Sequence, residues 1–124
     1  MYVFYNANYC DLFTGDCVIR AICKAEDMDW HDVYDDLCVQ GRMMCAWGDT
    51  NAVWGAYLES IGYSLGIIDA SLIGRYTIKD FIKDHPYSTY IVATGSHVVC
   101  VKDGFAFDTW NSLGEQVAYY FYRR

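Results

Sequence analysis

The stretch Val98-Val-Cys-Val-Lys-Asp-Gly-Phe-Ala-Phe107 decides how this chain is read. Two runs rich in β-formers flank Asp103-Gly104. That dipeptide favours a two-residue hairpin turn, whose central residues take positive φ. A tight turn sets Lys102 opposite Phe105 and Val101 opposite Ala106. Counting outward sets Val99 opposite Asp108 and His97 opposite Trp110. Opposed residues share a sheet face, as do alternate residues along a strand. His97 and Asp108 are therefore diagonal neighbours on one face, with backbones about 7–8 Å apart, and their side chains can close that gap to a hydrogen bond. Asn111 falls on the other face.

Further strands are expected over 63–68, 90–94, 97–102, 105–110 and 117–122, which are dense in Val, Tyr and Phe. Helices are expected earlier. In 16–27, Val18, Ile19, Ile22 and Cys23 form an apolar stripe, with Arg20, Lys24 and Glu26 on the polar side and Asp16 as the capping residue. In 30–39, Trp30, Val33, Tyr34, Leu37 and Cys38 recur at helical spacing, Asp29 can cap, and Gly41 can end the helix. A third helix is expected over 50–60, with Gly62 as its stop, and a short one over 77–84, with Thr77 and Asp80 spaced as a capping box. Residues 1–15 read as an irregular lead-in. Helices first and strands later give an α+β class with an antiparallel sheet.

The chain has 124 residues, enough for one domain that buries about two-thirds of its unfolded surface. A single domain over 1–124 is expected. Nine Lys and Arg against sixteen Asp and Glu give a net charge of −7, which argues against a nucleic-acid partner. Uncharged runs are too broken for a membrane span, and the N-terminus lacks the positive region of a signal peptide, so a cytoplasmic location is expected. Without a secretory context the six cysteines read as free thiols, mostly buried as small hydrophobes. None is spaced C-x-x-C, and neither a metal nor a cofactor is expected. The acidic groups at 29–36 read as a solvated helix face, and His31 and His85 as surface residues without partners. Met43-Met-Cys-Ala-Trp47 reads first as core packing and second as the wall of a substrate groove.

One cysteine stands apart. Thr14-Gly-Asp-Cys-Val-Ile-Arg-Ala places Cys17 in the first turn of the first helix. Free backbone N–H groups and the positive helix end favour a thiolate there, and a nearby imidazolium favours it further. A helix-start Cys, then a strand His, then a strand Asp, is the chain order of the Cys-His-Asp/Asn constellation. With Gly15-Asp-Cys-Val-Ile-Arg-Ala-Ile22 and Ser96-His-Val-Val-Cys-Val-Lys-Asp-Gly-Phe-Ala-Phe-Asp108, the chain resembles the papain-like cysteine peptidases. It is most similar to compact forms such as bacteriocin leader peptidases and small phage or bacterial proteins of that superfamily.

The resemblance implies N-terminal helices packed on a C-terminal antiparallel sheet. It implies Cys17 as nucleophile, His97 as base and then acid, and Asp108 as the group that orients the imidazole. It implies a peptide or protein substrate, and the net charge favours a basic one. The family's oxyanion-binding Gln has no counterpart before Cys17. Asn8, Asn6 and Thr14 are the candidates for that role, with Asn8 preferred. Two other functions fit the same residues: a non-catalytic binding or inhibitory module, such as a phage protein acting on a host factor, and a small-molecule amidase or acyltransferase.

Overall fold

A computed structural model describes residues 1–123. The elements run β1 (Tyr2–Phe4), α1 (Cys17–Glu26), α2 (Trp30–Met44), α3 (Asn51–Ser60), β2 (Tyr63–Gly66), a single 3-10 turn (Ala70–Leu72), α4 (Ile78–Asp84), β3 (Thr89–Ala93), β4 (Val98–Lys102), β5 (Phe105–Asp108) and β6 (Tyr119–Arg123). The class is α+β. Among the described residues no helix is long and apolar enough to cross a membrane.

The central hairpin forms as its turn chemistry dictates. Asp103 and Gly104 both have positive φ, 50° and 85°, the pair of values that matches the twist of the flanking strands. The register is Lys102↔Phe105, Val101↔Ala106 and Cys100↔Phe107. Around this hairpin a six-stranded sheet assembles in the order β1-β5-β4-β3-β6-β2. The expectation of an antiparallel sheet is corrected at one edge: β1 runs parallel to β5, pairing Tyr2 with Ala106 and Phe4 with Asp108. The segment read as irregular lead-in therefore begins with a strand. Three residues carry too little periodicity to announce it, and its partner lies more than a hundred positions away.

Alternation along β4 divides the core. Val98 and Cys100 face one side with Ile91 and Phe121, where α1, α2 and α3 deliver Ile22, Leu37, Trp54 and Leu58. Val99, Val101 and Ala106 face the other side, where α4 delivers Ile78 and Phe81. Thr77 and Asp80 close the expected capping box on α4, with Asp80 N donating to Thr77 Oγ1 at 3.2 Å and Thr77 N to Asp80 Oδ2 at 3.1 Å. Asp16 and Asp29 occupy cap positions on α1 and α2, but neither side chain caps its helix.

Helix α2 does not stop at Gly41. It continues to Met44 and ends at Cys45, whose φ of 55° is left-handed. Gly41 serves close approach instead, since a Cβ there would lie 2.5 Å from the Ala46 carbonyl oxygen. Its own carbonyl accepts the Ala46 N–H at 2.9 Å, folding the next loop back along the helix. The stretch 43–47 is consequently exposed and does not pack in the core. The thiols also differ from expectation: Cys23 and Cys100 are buried, Cys17 is half-buried, and Cys10, Cys38 and Cys45 are exposed. His85 is half-buried, with its ring on Phe81 and Nδ1–H donating to the Phe81 carbonyl at 3.1 Å.

Gly41→Ala should cost about 1–3 kcal/mol by the overpacking route. Gly114→Ala, where a Cβ meets nothing within 4 Å, should stay within about 0.5 kcal/mol. Urea unfolding of the two variants measures the difference.

Candidate active site

Cys17 is the first residue of α1. Its backbone N–H has no intrahelical partner, as for every residue in a first helical turn. His97 lies one residue before β4, where its carbonyl accepts the Thr94 N–H at 2.8 Å and fixes the tight return from β3. Asp108 is the last residue of β5 and is 2 % exposed. His97 Nε2 and Asp108 Oδ2 are 2.6 Å apart. With Nε2 so occupied, Nδ1 is the ring nitrogen left for the interaction through which His97 lowers the Cys17 thiol.

The place of these residues in the sheet explains how they meet. Strict alternation puts His97 and Asp108 on the face of Val99 and Ala106, away from α1. Both stand where regular pairing ends, and their side chains reach the start of α1 around the end of the sheet. Trp110, just beyond β5, lies against the His97 ring with centroids 5.0 Å apart and screens it from water.

Charge is distributed in one direction along this chain of groups. Burial by itself would raise the Cys17 thiol. The His97 and Val98 hydrogen bonds outweigh burial, helped by the charges of His97 and Arg20, and hold the thiol below its ordinary value. Burial alone would lower His97, yet its hydrogen bonds and charge interactions with Asp108 and Cys17 raise it to about 9. Burial would raise Asp108, and its hydrogen bonds from His97, Ser112 and the Thr109 backbone, with the His97 charge, lower it instead. These shifts favour a thiolate beside an imidazolium, with an ionised carboxylate behind.

Two neighbours were not anticipated from the sequence as site residues. Arg20 belongs to the helix stripe read as polar, yet it is 5 % exposed. Its guanidinium pairs with Asp16, lies 3.6 Å from Asp108 Oδ1 through Nη2, and donates to the Thr14 carbonyl at 3.4 Å. Ser112 is fully buried and donates to Asp108 Oδ2 at 2.8 Å. The i,i+4 spacing of Asp16 and Arg20 was the available signal for the first. Ser112 stands beyond a strand end and had none.

Asp16 joins the site to the preceding loop. Its Oδ2 accepts from Trp30 Nε1 at 2.9 Å and from Asn8 Nδ2 at 3.4 Å. Asn8 is itself fixed, since its Oδ1 accepts the Cys10 N–H at 2.8 Å. Of the three oxyanion candidates, Asn8 is thus the one whose amide is tied to the residue before Cys17. Asn6 is turned to its own loop, donating to the Leu12 carbonyl at 3.2 Å, and Thr14 is exposed. Beside the start of α1 lies a groove of about 610 Å³ between α1, α2 and the loop after α2, with Trp47 in its wall. Among the described residues no cluster of three His, Cys, Asp or Glu suits a metal ion.

Arg20→Met would leave Asp16 buried without its cation and Asp108 with His97 alone, and should cost about 3–5 kcal/mol of stability in urea unfolding. The same change should raise the Cys17 thiol, because the Arg20 charge is among the groups that lower it. Comparison with protein-family models, with curated proteins and with solved structures gives no match for this chain.

Proposed function

We propose that the protein is a papain-like thiol hydrolase that cleaves an amide bond in a peptide or protein. The observation that carries this reading is the His97–Asp108 pair at 2.6 Å, whose imidazole also acts on Cys17 to lower its thiol. A helix that starts with the nucleophile and packs on a hairpin that ends with base and carboxylate also supports the papain-like reading of the fold.

In this mechanism the Cys17 thiolate attacks the amide carbonyl carbon, and the carbonyl oxygen becomes an oxyanion. The Cys17 backbone N–H and the second N–H of the Asn8 amide are the donors for that charge. His97 gives its Nδ1 proton to the leaving nitrogen as the C–N bond breaks, and a thioester remains on Cys17. Neutral His97 then takes a proton from water as the water oxygen attacks the thioester. Collapse releases the acid and restores thiolate and imidazolium. Asp108 accepts from Nε2 throughout, which fixes the tautomer and the ring plane. Ser112, Thr109 and Arg20 hold Asp108 in turn.

A second reading, a non-catalytic binding module on the same fold, draws on the lack of a Gln before Cys17. The two separate on Cys17→Ala, which abolishes a hydrolase and leaves a binding module intact.

Iodoacetamide at pH 7 should modify Cys17 ahead of the exposed Cys10, Cys38 and Cys45, as read by peptide mass mapping. His97→Ala should slow that alkylation, because the imidazolium no longer supports the thiolate. Uniform labelling would count against the site. The pH profile of hydrolysis should open below the ordinary thiol value and close near pH 9, where His97 gives up the proton it must donate. Asn8→Ala should lower kcat by about 10²–10³ with little change in Cys17 alkylation, the signature of a lost oxyanion donor.

A further inference from the structure

The groove beside α1 is built by the residues that flank Cys17 in sequence. Gly15 and Asp16 before it and Val18 and Ile19 after it form one wall. The groove therefore opens within one residue of Cys17 at the start of α1, although the Cys17 side chain is not part of its lining. A second wall is aromatic. Trp30 and Tyr34, one turn apart on α2, stack with centroids 5.3 Å apart and planes 15° from parallel, and Trp30 is anchored through Nε1 to Asp16. Trp47, on the loop after α2, adds an indole that is 83 % exposed.

The charge in this groove has one sign. Among the described residues no Lys, Arg or His lines it. Asp16 is neutralised by Arg20, so the carboxylate that remains is Asp49. Asp49 is exposed, and among the described residues no side-chain hydrogen bond or ion pair engages it. Flat aromatic walls suit an aliphatic stem, aromatic faces attract a cation, and a free carboxylate in the lining completes the charge match. A purely apolar side chain would use the walls and leave Asp49 partly desolvated without a partner.

We propose that this groove receives a long basic side chain, lysine or arginine, of the substrate. The stem would lie along Trp30, Tyr34 and Trp47, and the head would meet Asp49. This assignment rests on the thiol-hydrolase reading and names its substrate class: peptides with a basic residue close to the cleaved bond. The net charge of −7 favours approach of the same substrates.

The test uses the full chain and acyl-dipeptidyl chloromethyl ketones carrying lysine, norleucine or glycine at either of the two positions before the reactive group. Norleucine keeps the stem and removes the charge. Rates are read as Cys17 modification by mass mapping, because Cys38 also lines the groove. They are normalised to the iodoacetamide rate of the same protein. With lysine at one of the two positions, modification should be about fivefold faster than with norleucine, the size of an exposed ion pair with a cation–aromatic contact. Norleucine should in turn exceed glycine. In Asp49→Asn the lysine advantage should shrink to what the aromatic faces alone supply, about twofold. Norleucine or glycine matching lysine at both positions, or a lysine advantage undiminished in Asp49→Asn, overturns the assignment. Failure of the hydrolase reading looks different: iodoacetamide itself then shows no preference for Cys17, and His97→Ala changes nothing.

Discussion

A guanidinium taken out of water is among the more expensive groups to bury, and Arg20 is buried between two carboxylates. Its partners are Asp16, one residue before the candidate nucleophile, and Asp108, the carboxylate behind His97. Neither carboxylate is at home in this interior without a cation, and the cation is not at home without them. The three charges therefore fix one another's positions. One pair lies within the start of α1 and the other runs from α1 to the end of β5. A shift of the helix relative to the hairpin would separate Arg20 from Asp108 and leave Arg20 with Asp16 alone and Asp108 with His97 alone. The separation between Cys17 and His97 is set by that same relation of helix to hairpin. The ion triad thus acts as a gauge for the separation of Cys17 and His97, although none of its members except Asp108 touches the imidazole.

The hairpin was legible because its information is local. Asp103-Gly104 dictates the turn, the turn dictates the register, and the register brings His97 near Asp108. Cys17 was legible for a related reason, since a helix start is marked by the residues around it. Parts that depend on distant residues were not visible. The pairing of β1 with β5 joins the first residues of the chain to the hairpin, and nothing in Tyr2-Val-Phe4 points there. Arg20 looked like a solvated residue because its helical position was judged by polarity alone. Only the buried carboxylates of Asp16 and Asp108 make that position interior. Periodicity reports which face is apolar, and a charge satisfied inside the molecule is where that rule fails.

Sheet alternation gives the pairing of His97 with Asp108 but places both on the face away from α1. The contact with Cys17 exists because both residues sit where the ladder ends. Inside a strand, neighbours on each side fix the direction of a side chain, and a residue on one face cannot serve the other. At a strand end that restraint is lost on one side. A constellation drawing a nucleophile from a helix and its base from a sheet has to be built there. The same position leaves the imidazole open to water, and Trp110 covers what the sheet no longer can.

The helical layer gives this small chain a second use for α2. Its apolar side closes the core through Val33 and Leu37, while Trp30 and Tyr34 near its start stack into an aromatic wall of the groove at the start of α1. That wall meets a loop whose path is fixed by two absent side chains. A Cβ at Gly41 would strike the Ala46 carbonyl oxygen, and one at Gly48 would lie 3.1 Å from the Leu37 carbonyl oxygen. The loop is therefore packed backbone to backbone on the helix, an arrangement with little freedom to swing away. Trp47 and Asp49 are carried on that loop, one on each side of Gly48. Their exposure is consequently a property of a fixed surface rather than of a wandering segment, and a fixed surface gives up little freedom on binding, as the proposed lysine or arginine subsite requires.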